Sequence, residues 1–172
     1  MPADDPALPE TRLIVATQPG VASFIVNGGF DGELAPWICH GGQVIRDPAD
    51  EKNWLLEVTP AGGRFRLVQL FIKPPASKVP MTLSFRAMIS EEAALSGFDL
   101  MLLGQDEKPL LQTIVAAGTP GEWTKIEWKG SVPIAPAALY IGRRDKGVVW
   151  IDDVRLEQST SAPEAPQGQP SP

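Results

Sequence analysis

Two adjacent carboxylates near the end of the chain, Asp152 and Asp153, are the residues whose chemistry first needs an account. They follow Val148-Val149-Trp150-Ile151 and precede Val154-Arg155-Leu156-Glu157, a stretch whose β-branched and aromatic content reads as a strand. Side chains alternate along a strand, so both acids face water only where a bulge or strand end intervenes. An ionised carboxylate turned inward is costly unless a cation or a set of donors meets it. Two readings follow: a strand end with one Asp capping a turn, or one Asp ligating a structural cation. The partner to look for is the bend Asn27-Gly28-Gly29-Phe30-Asp31-Gly32, a turn signal that needs positive φ and carries another carboxylate.

Other chemistries find little support. His40 is the single histidine and adjoins Cys39, the single cysteine. Neighbours on a strand point opposite ways, so the two make no dyad, and Cys39 is expected to be buried. There is no serine-centred elbow, glycine-rich phosphate loop or two-histidine metal motif. Glu91-Glu92 and Asp106-Glu107 read as surface loop charges, and no pair can be nominated as the acid and base of a glycosidase. The chain is therefore not expected to be an enzyme. With 172 residues and a net charge of −6, it lacks the cations that neutralise phosphates, which argues against a nucleic-acid partner. No apolar run approaches ~18 residues, so no membrane span is expected. One cysteine excludes an internal disulfide framework and a multi-cysteine zinc site.

The elements that must position these residues are strands. Runs at 21–26, 36–40, 43–46, 53–58, 64–73, 80–89, 98–103, 109–116, 122–129, 138–143 and 148–157 are rich in apolar and β-branched residues and separated by glycine, proline or charged turns. Only 90–96, with Ser90 as cap, suggests a helical turn. Such a series predicts an all-β sandwich or barrel. Residues 1–20 form an N-terminal extension, proline-rich and acidic at its start, poorly ordered apart from a possible edge strand at 11–17. The folded unit is 21–157, and 158–172 is a Pro/Ser/Gln-rich tail or linker. In 64–73, Arg66, Val68, Leu70 and Ile72 share one face while Phe65, Leu67, Gln69 and Phe71 share the other. Both faces are substantially apolar, so neither is simply solvated.

Three stretches, in order, resemble the jelly-roll carbohydrate-binding modules of families four, nine and twenty-two, within the galactose-binding-like sandwiches. They are Asn27-Gly28-Gly29-Phe30-Asp31 leading to Pro36-Trp37, then Val68-Gln69-Leu70 with Leu83-Ser84-Phe85-Arg86-Ala87, then Glu122-Trp123-Thr124 with Ile151-Asp152-Asp153-Val154. The resemblance implies a two-sheet antiparallel jelly-roll sandwich of about eight to ten strands. It also implies a structural Ca²⁺ between Asp31 and Asp152 or Asp153, with carbonyls around 50–53 completing the shell. Asp31 stands where the family has Glu, and the loop before Trp54 lacks the family's His-Ser-Gly-Ser-like run.

Carbohydrate modules stack sugar rings on exposed aromatics and fix hydroxyls with polar side chains. By the family pattern Trp37, Trp123 and Trp150 pack the core, which leaves Trp54, Trp128 and Tyr140 as platforms, with Gln69, Arg86 and Arg144 as polar partners. Trp128 shares parity with Thr124 and Ile126, which suits an inward face. The implied function is a non-catalytic glycan-binding module of a secreted or surface-associated protein. The rival is a structural sandwich for protein–protein assembly on a virion or cell surface, served by a greasy sheet face carrying Phe65, Leu67 and Phe71 beside Gln69. The N-terminus has no hydrophobic segment resembling a secretory signal, so location rests on the resemblance.

Overall fold

The computed structural model describes residues 21–60, 64–93, 97–143 and 147–159, and these form two antiparallel sheets packed face to face. In chain order the strands are β1 (Val21–Ser23), β2 (Ile38–Cys39), β3 (Gly42–Asp47), β4 (Asp50–Val58), β5 (Phe65–Leu70), β6 (Met81–Ile89), β7 (Phe98–Leu103), β8 (Pro109–Val115), β9 (Thr124–Gly130), β10 (Ala138–Arg143) and β11 (Val149–Ser159). The only helical element among them is a single 3-10 turn, Glu91–Ala93, inside the expected 90–96 turn. One sheet runs β3-β4-β11-β6-β9 with β1 also on β11; the other runs β2-β5-β10-β7-β8. The jelly-roll sandwich expected from the sequence is the fold observed. The edge strand expected at 11–17 lies outside the described residues.

Alternation decides which side of each strand is interior. β6 is the plainest case: Met81, Leu83, Phe85, Ala87 and Ile89 are buried, and every residue between them is half-exposed. Facing it from the other sheet are Phe65, Leu67, Phe98, Leu100, Leu102, Leu139 and Ile141. Phe98 meets Phe85 edge-on at 5.4 Å and Phe65 at 6.4 Å, a favoured arrangement for aromatic rings.

The face of β5 carrying Phe65, Leu67 and Gln69 is thus the core face, contrary to the sheet-face contact expected above. Phe65 and Leu67 are buried, and Phe71 is half-buried against the same core. The physical reason is volume. Given two apolar faces, the one with the larger side chains fills the gap between the sheets, and Arg66, Val68 and Leu70 turn outward.

The sandwich closes where the opening bend meets the last strand. β11 pairs with β4 over Val149–Ile151, with β6 on both sides of the irregularity between Asp152 and Arg155, and with β1 at its end. Between those pairings the Val154 N–H donates to the Gly28 carbonyl at 2.9 Å and the Phe24 N–H to the Leu156 carbonyl at 2.8 Å. Gly28 is required here, because a Cβ would collide with the Val154 carbonyl.

Candidate ligand-binding site

The Asn27–Trp37 stretch organises itself. The Asn27 side chain donates to the carbonyls of Glu33 and Ala35 and accepts from the Asp31 N–H, while Trp37 Nε1 donates to the Asn27 carbonyl. Phe30 and Trp37 are buried with ring centroids 5.8 Å apart. Asn27 and Phe30 both adopt positive φ to make the bend. Asp31 contributes only its backbone to this network, and its side chain is exposed.

The acid pair meets a guanidinium. The ladder between β11 and β6 is irregular between Asp152 and Arg155, and Asp153 has φ +53°, so the bulge turns the two acids different ways. Asp152 is 1% exposed and Asp153 lies at the surface. Arg86 donates from NH2 to Asp152 at 2.7 Å and from Nε to Asp153 at 2.8 Å. Asp152 also accepts from Asn53 Nδ2 at 2.9 Å and from the Asp153 N–H. Partial burial works against the Arg86 charge, but the bonds and charges of the two acids outweigh it and hold its pKa above the ordinary value.

These residues do not fit the Ca²⁺ implied by the resemblance. The Asp31 side chain is exposed and takes no part in the Arg86–Asp152–Asp153 network, and among the described residues no three His, Cys, Asp or Glu side chains converge. Arg86 supplies the positive charge that the two acids meet, where calcium would need six to eight oxygen ligands.

The sugar-site candidates separate in the same way. Trp54 is half-buried, with the Arg46 guanidinium 3.8 Å over its ring, so that face is taken. Trp128 packs against the core at the edge of the sandwich, and a Cβ on Gly130 would run into its ring. Gln69 is 1% exposed and spends its amide on both backbone groups of Val26, each at 2.8 Å, tying β5 to the bend. Arg86 is committed to the acid pair, on the outer face of the six-stranded sheet. Arg144 lies outside the described residues. Of the residues assigned to the core, Trp37 is buried. Trp123 is half-buried beneath Arg86, and Trp150, also half-buried, donates to Glu57 on the outer face of its sheet.

Tyr140 is the described aromatic of the six that lines the larger groove. It lies at the centre of the outer face of the five-stranded sheet, where registry forms three rows across β5, β10 and β7: Leu70-Ala138-Leu103, Val68-Tyr140-Met101 and Arg66-Gly142-Asp99. A groove of about 580 Å³ runs over these rows, extended by Arg64 at one end and by Glu107 and Pro109 along the β7–β8 side. Gly142 has a specific task. A Cβ there would stand 2.6 Å from Cε1 and 2.7 Å from Cζ of Tyr140, so the ring lies down along the strand over Gly142. The ring is half-buried and lines the groove. Sequence reasoning missed Arg66, Met101 and Asp99, although a glycine two residues from a strand tyrosine, on the same face, is a signal for such a ring.

Burial pushes the Cys39 thiol up to about 11 against the lowering effect of a Gly42 backbone hydrogen bond, so it stays protonated at neutral pH. His40 is exposed beside it.

No family model and no curated sequence matches this chain. Solved structures do. The chain is similar to the enzymatically active domain of bacteriophage CBA120 tailspike protein 4, with a TM-score of 0.58 and 13% identity over 79% of this chain and 21% of that one. It therefore spans about a fifth of the tailspike chain. It is similar to the CBM22-1 xylan-binding domain of Paenibacillus barcinonensis Xyn10C, with a TM-score of 0.59 and 15% identity over 86% of this chain and 100% of that one. It is also similar to TmCBM61, solved with β-1,4-galactotriose, with a TM-score of 0.56 and 19% identity over 80% of this chain and 99% of that one. At these identities the likenesses establish the fold, that of the jelly-roll carbohydrate-binding modules.

Proposed function

We propose that this chain is a non-catalytic carbohydrate-binding module whose ligand lies in the groove over Tyr140. The observation that carries the reading is the tyrosine ring reaching over Gly142 at the middle of that groove. A flat π surface suits the C–H face of a pyranose, and the arginine and acid side chains around it suit the hydroxyls. The shared fold supports the reading. Its neighbours include a xylan-binding domain and a module holding a galactotriose.

The assembly alternative loses its main support, because the face it needed is the core. A secreted or surface-associated setting, on a cell or a virion, accompanies the glycan reading, and the likeness to a phage tailspike domain is in keeping with it. Among the described residues no helix is long and apolar enough to cross a membrane.

The test is a glycan array followed by titration calorimetry on the hits. Binding that disappears in Tyr140→Ala while the fold persists supports the groove. Binding unaffected by Tyr140→Ala moves the site elsewhere, and silence across the array removes the function.

A further inference from the structure

We propose that the groove is built for an acidic sugar: Arg64 and Arg66 take the carboxylate of a uronic-acid residue whose ring stacks on Tyr140. This rests on the groove being the glycan site.

Arg66 on the outward face of β5 and Arg64, the residue just before that strand, stand two positions apart, both exposed and both lining the groove. Among the described residues neither makes a hydrogen bond or ion pair with another side chain, and neither stacks on a ring. Arg46, Arg86 and Arg155, by contrast, are engaged with Trp54, with the acid pair and with Glu157. A chain with a net charge of −6 thus keeps two neighbouring guanidiniums without an internal acid, aimed at the same space. Guanidinium groups suit carboxylates in a bidentate fork, and a pair of them repels until an anion intervenes.

The acids of the groove are placed apart from them. Asp99 sits across Gly142 on β7, two inter-strand spacings or about 9.5 Å from Arg66. Glu107 lies in the β7–β8 turn. The groove therefore has a cationic wall and an acidic wall with a tyrosine floor between them. A ring seated on that floor presents its carboxylate to Arg64 and Arg66 on the β5 side. The opposite end, beyond Tyr140, is lined by Leu70, Leu103 and Pro109 with Gln105 beside them in the β7–β8 turn.

The experiment is titration calorimetry with tetragalacturonic acid, its fully methyl-esterified counterpart and neutral β-1,4-galactotetraose, at low and high salt. The acid is expected to bind about tenfold more tightly than the ester, in line with charge-assisted hydrogen bonds. Salt should weaken the acid alone. Arg64→Gln combined with Arg66→Gln should erase the preference without changing the melting temperature, since both side chains are exposed. If ester and neutral sugar bind as tightly as the acid, or if the double variant keeps the preference, the acidic-sugar proposal is overturned while the groove reading stands. If none of the three binds, the proposal is likewise overturned, and the array with Tyr140→Ala decides the groove reading separately.

Discussion

Arg86 and Asp152 are joined by a 2.7 Å ion pair, with the carboxylate 1% exposed and the guanidinium side chain 39% exposed. A buried carboxylate is tolerated only when charge and donors meet it, and Arg86 meets both acids of the bulge at once. Removing it in Arg86→Ala leaves Asp152 with only Asn53 and its neighbour's N–H. A loss of about 1–3 kcal/mol is expected, the cost of a buried acceptor deprived of its donor and softened by solvent at the arginine. Urea denaturation measures it. In the same reading a chelator leaves the melting temperature of the native protein unchanged. A downward shift of several degrees would restore the calcium site.

Gly28→Ala tests the closure of the sandwich. The new methyl group would press into the backbone carbonyl of Val154, which no rotamer change relieves. A loss of about 1–3 kcal/mol is expected from overpacking against rigid backbone. Gly29→Ala is the control for adding a methyl group in the same bend, because a Cβ there meets nothing closer than Asp31 Oδ1 at 3.6 Å. Equal losses in the two variants would mean that the bend does not seal the fold.

Floor and core are separated by two aromatic truncations. Tyr140→Ala should weaken glycan binding by about 30-fold, as for a hot-spot contact of ~2 kcal/mol. Its stability should fall by no more than about 1 kcal/mol. Trp128→Ala should do the reverse, costing roughly 2–4 kcal/mol of stability with binding intact, since its ring packs on the core. Gly142→Ala should weaken binding by lifting the Tyr140 ring. Calorimetry and thermal melts on the same samples read both quantities.

Cys39 carries a pH signature. Its thiol is pushed up from its ordinary 9.0 to about 11, with burial the main cause. The folded state therefore holds the proton more tightly than the unfolded state. The stabilisation is complete below pH 9 and is lost as pH rises from there through 11. Alkylation by iodoacetamide should follow a midpoint near the upper value, and Cys39→Ala should flatten stability across that window. A midpoint at the lower value would mean the thiol is open to solvent.

Much of the architecture was legible because alternation is a strong signal where one face alone is apolar. Leu83, Phe85, Ala87 and Ile89 announced the inner face of β6, and the Asn27–Asp31 bend with Ile151–Val154 announced the closure. The signal weakened in β5, where Phe65 and Leu67 oppose Val68 and Leu70, and the presence of Gln69 drew the binding face to the wrong side. Gln69 is polar because it clamps Val26 within the core, not because it meets a ligand. The partner of the acid pair was hidden for another reason. Arg86 is 66 residues from Asp152 in the chain, and no spacing rule links them. Trp54 and Trp128 looked spare only because the side chains that cover or support them come from other strands or from the core.

The central claim is that a glycan occupies the outer face of the five-stranded sheet. Its most direct test is to follow backbone amide resonances of the labelled protein as tetragalacturonic acid or an array-positive glycan is added. Shifts concentrated at Arg66, Val68, Met101, Tyr140 and Gly142 are the predicted result. Shifts concentrated at Ser84, Lys125 and Arg155 on the opposite sheet, or none at any residue, would contradict it.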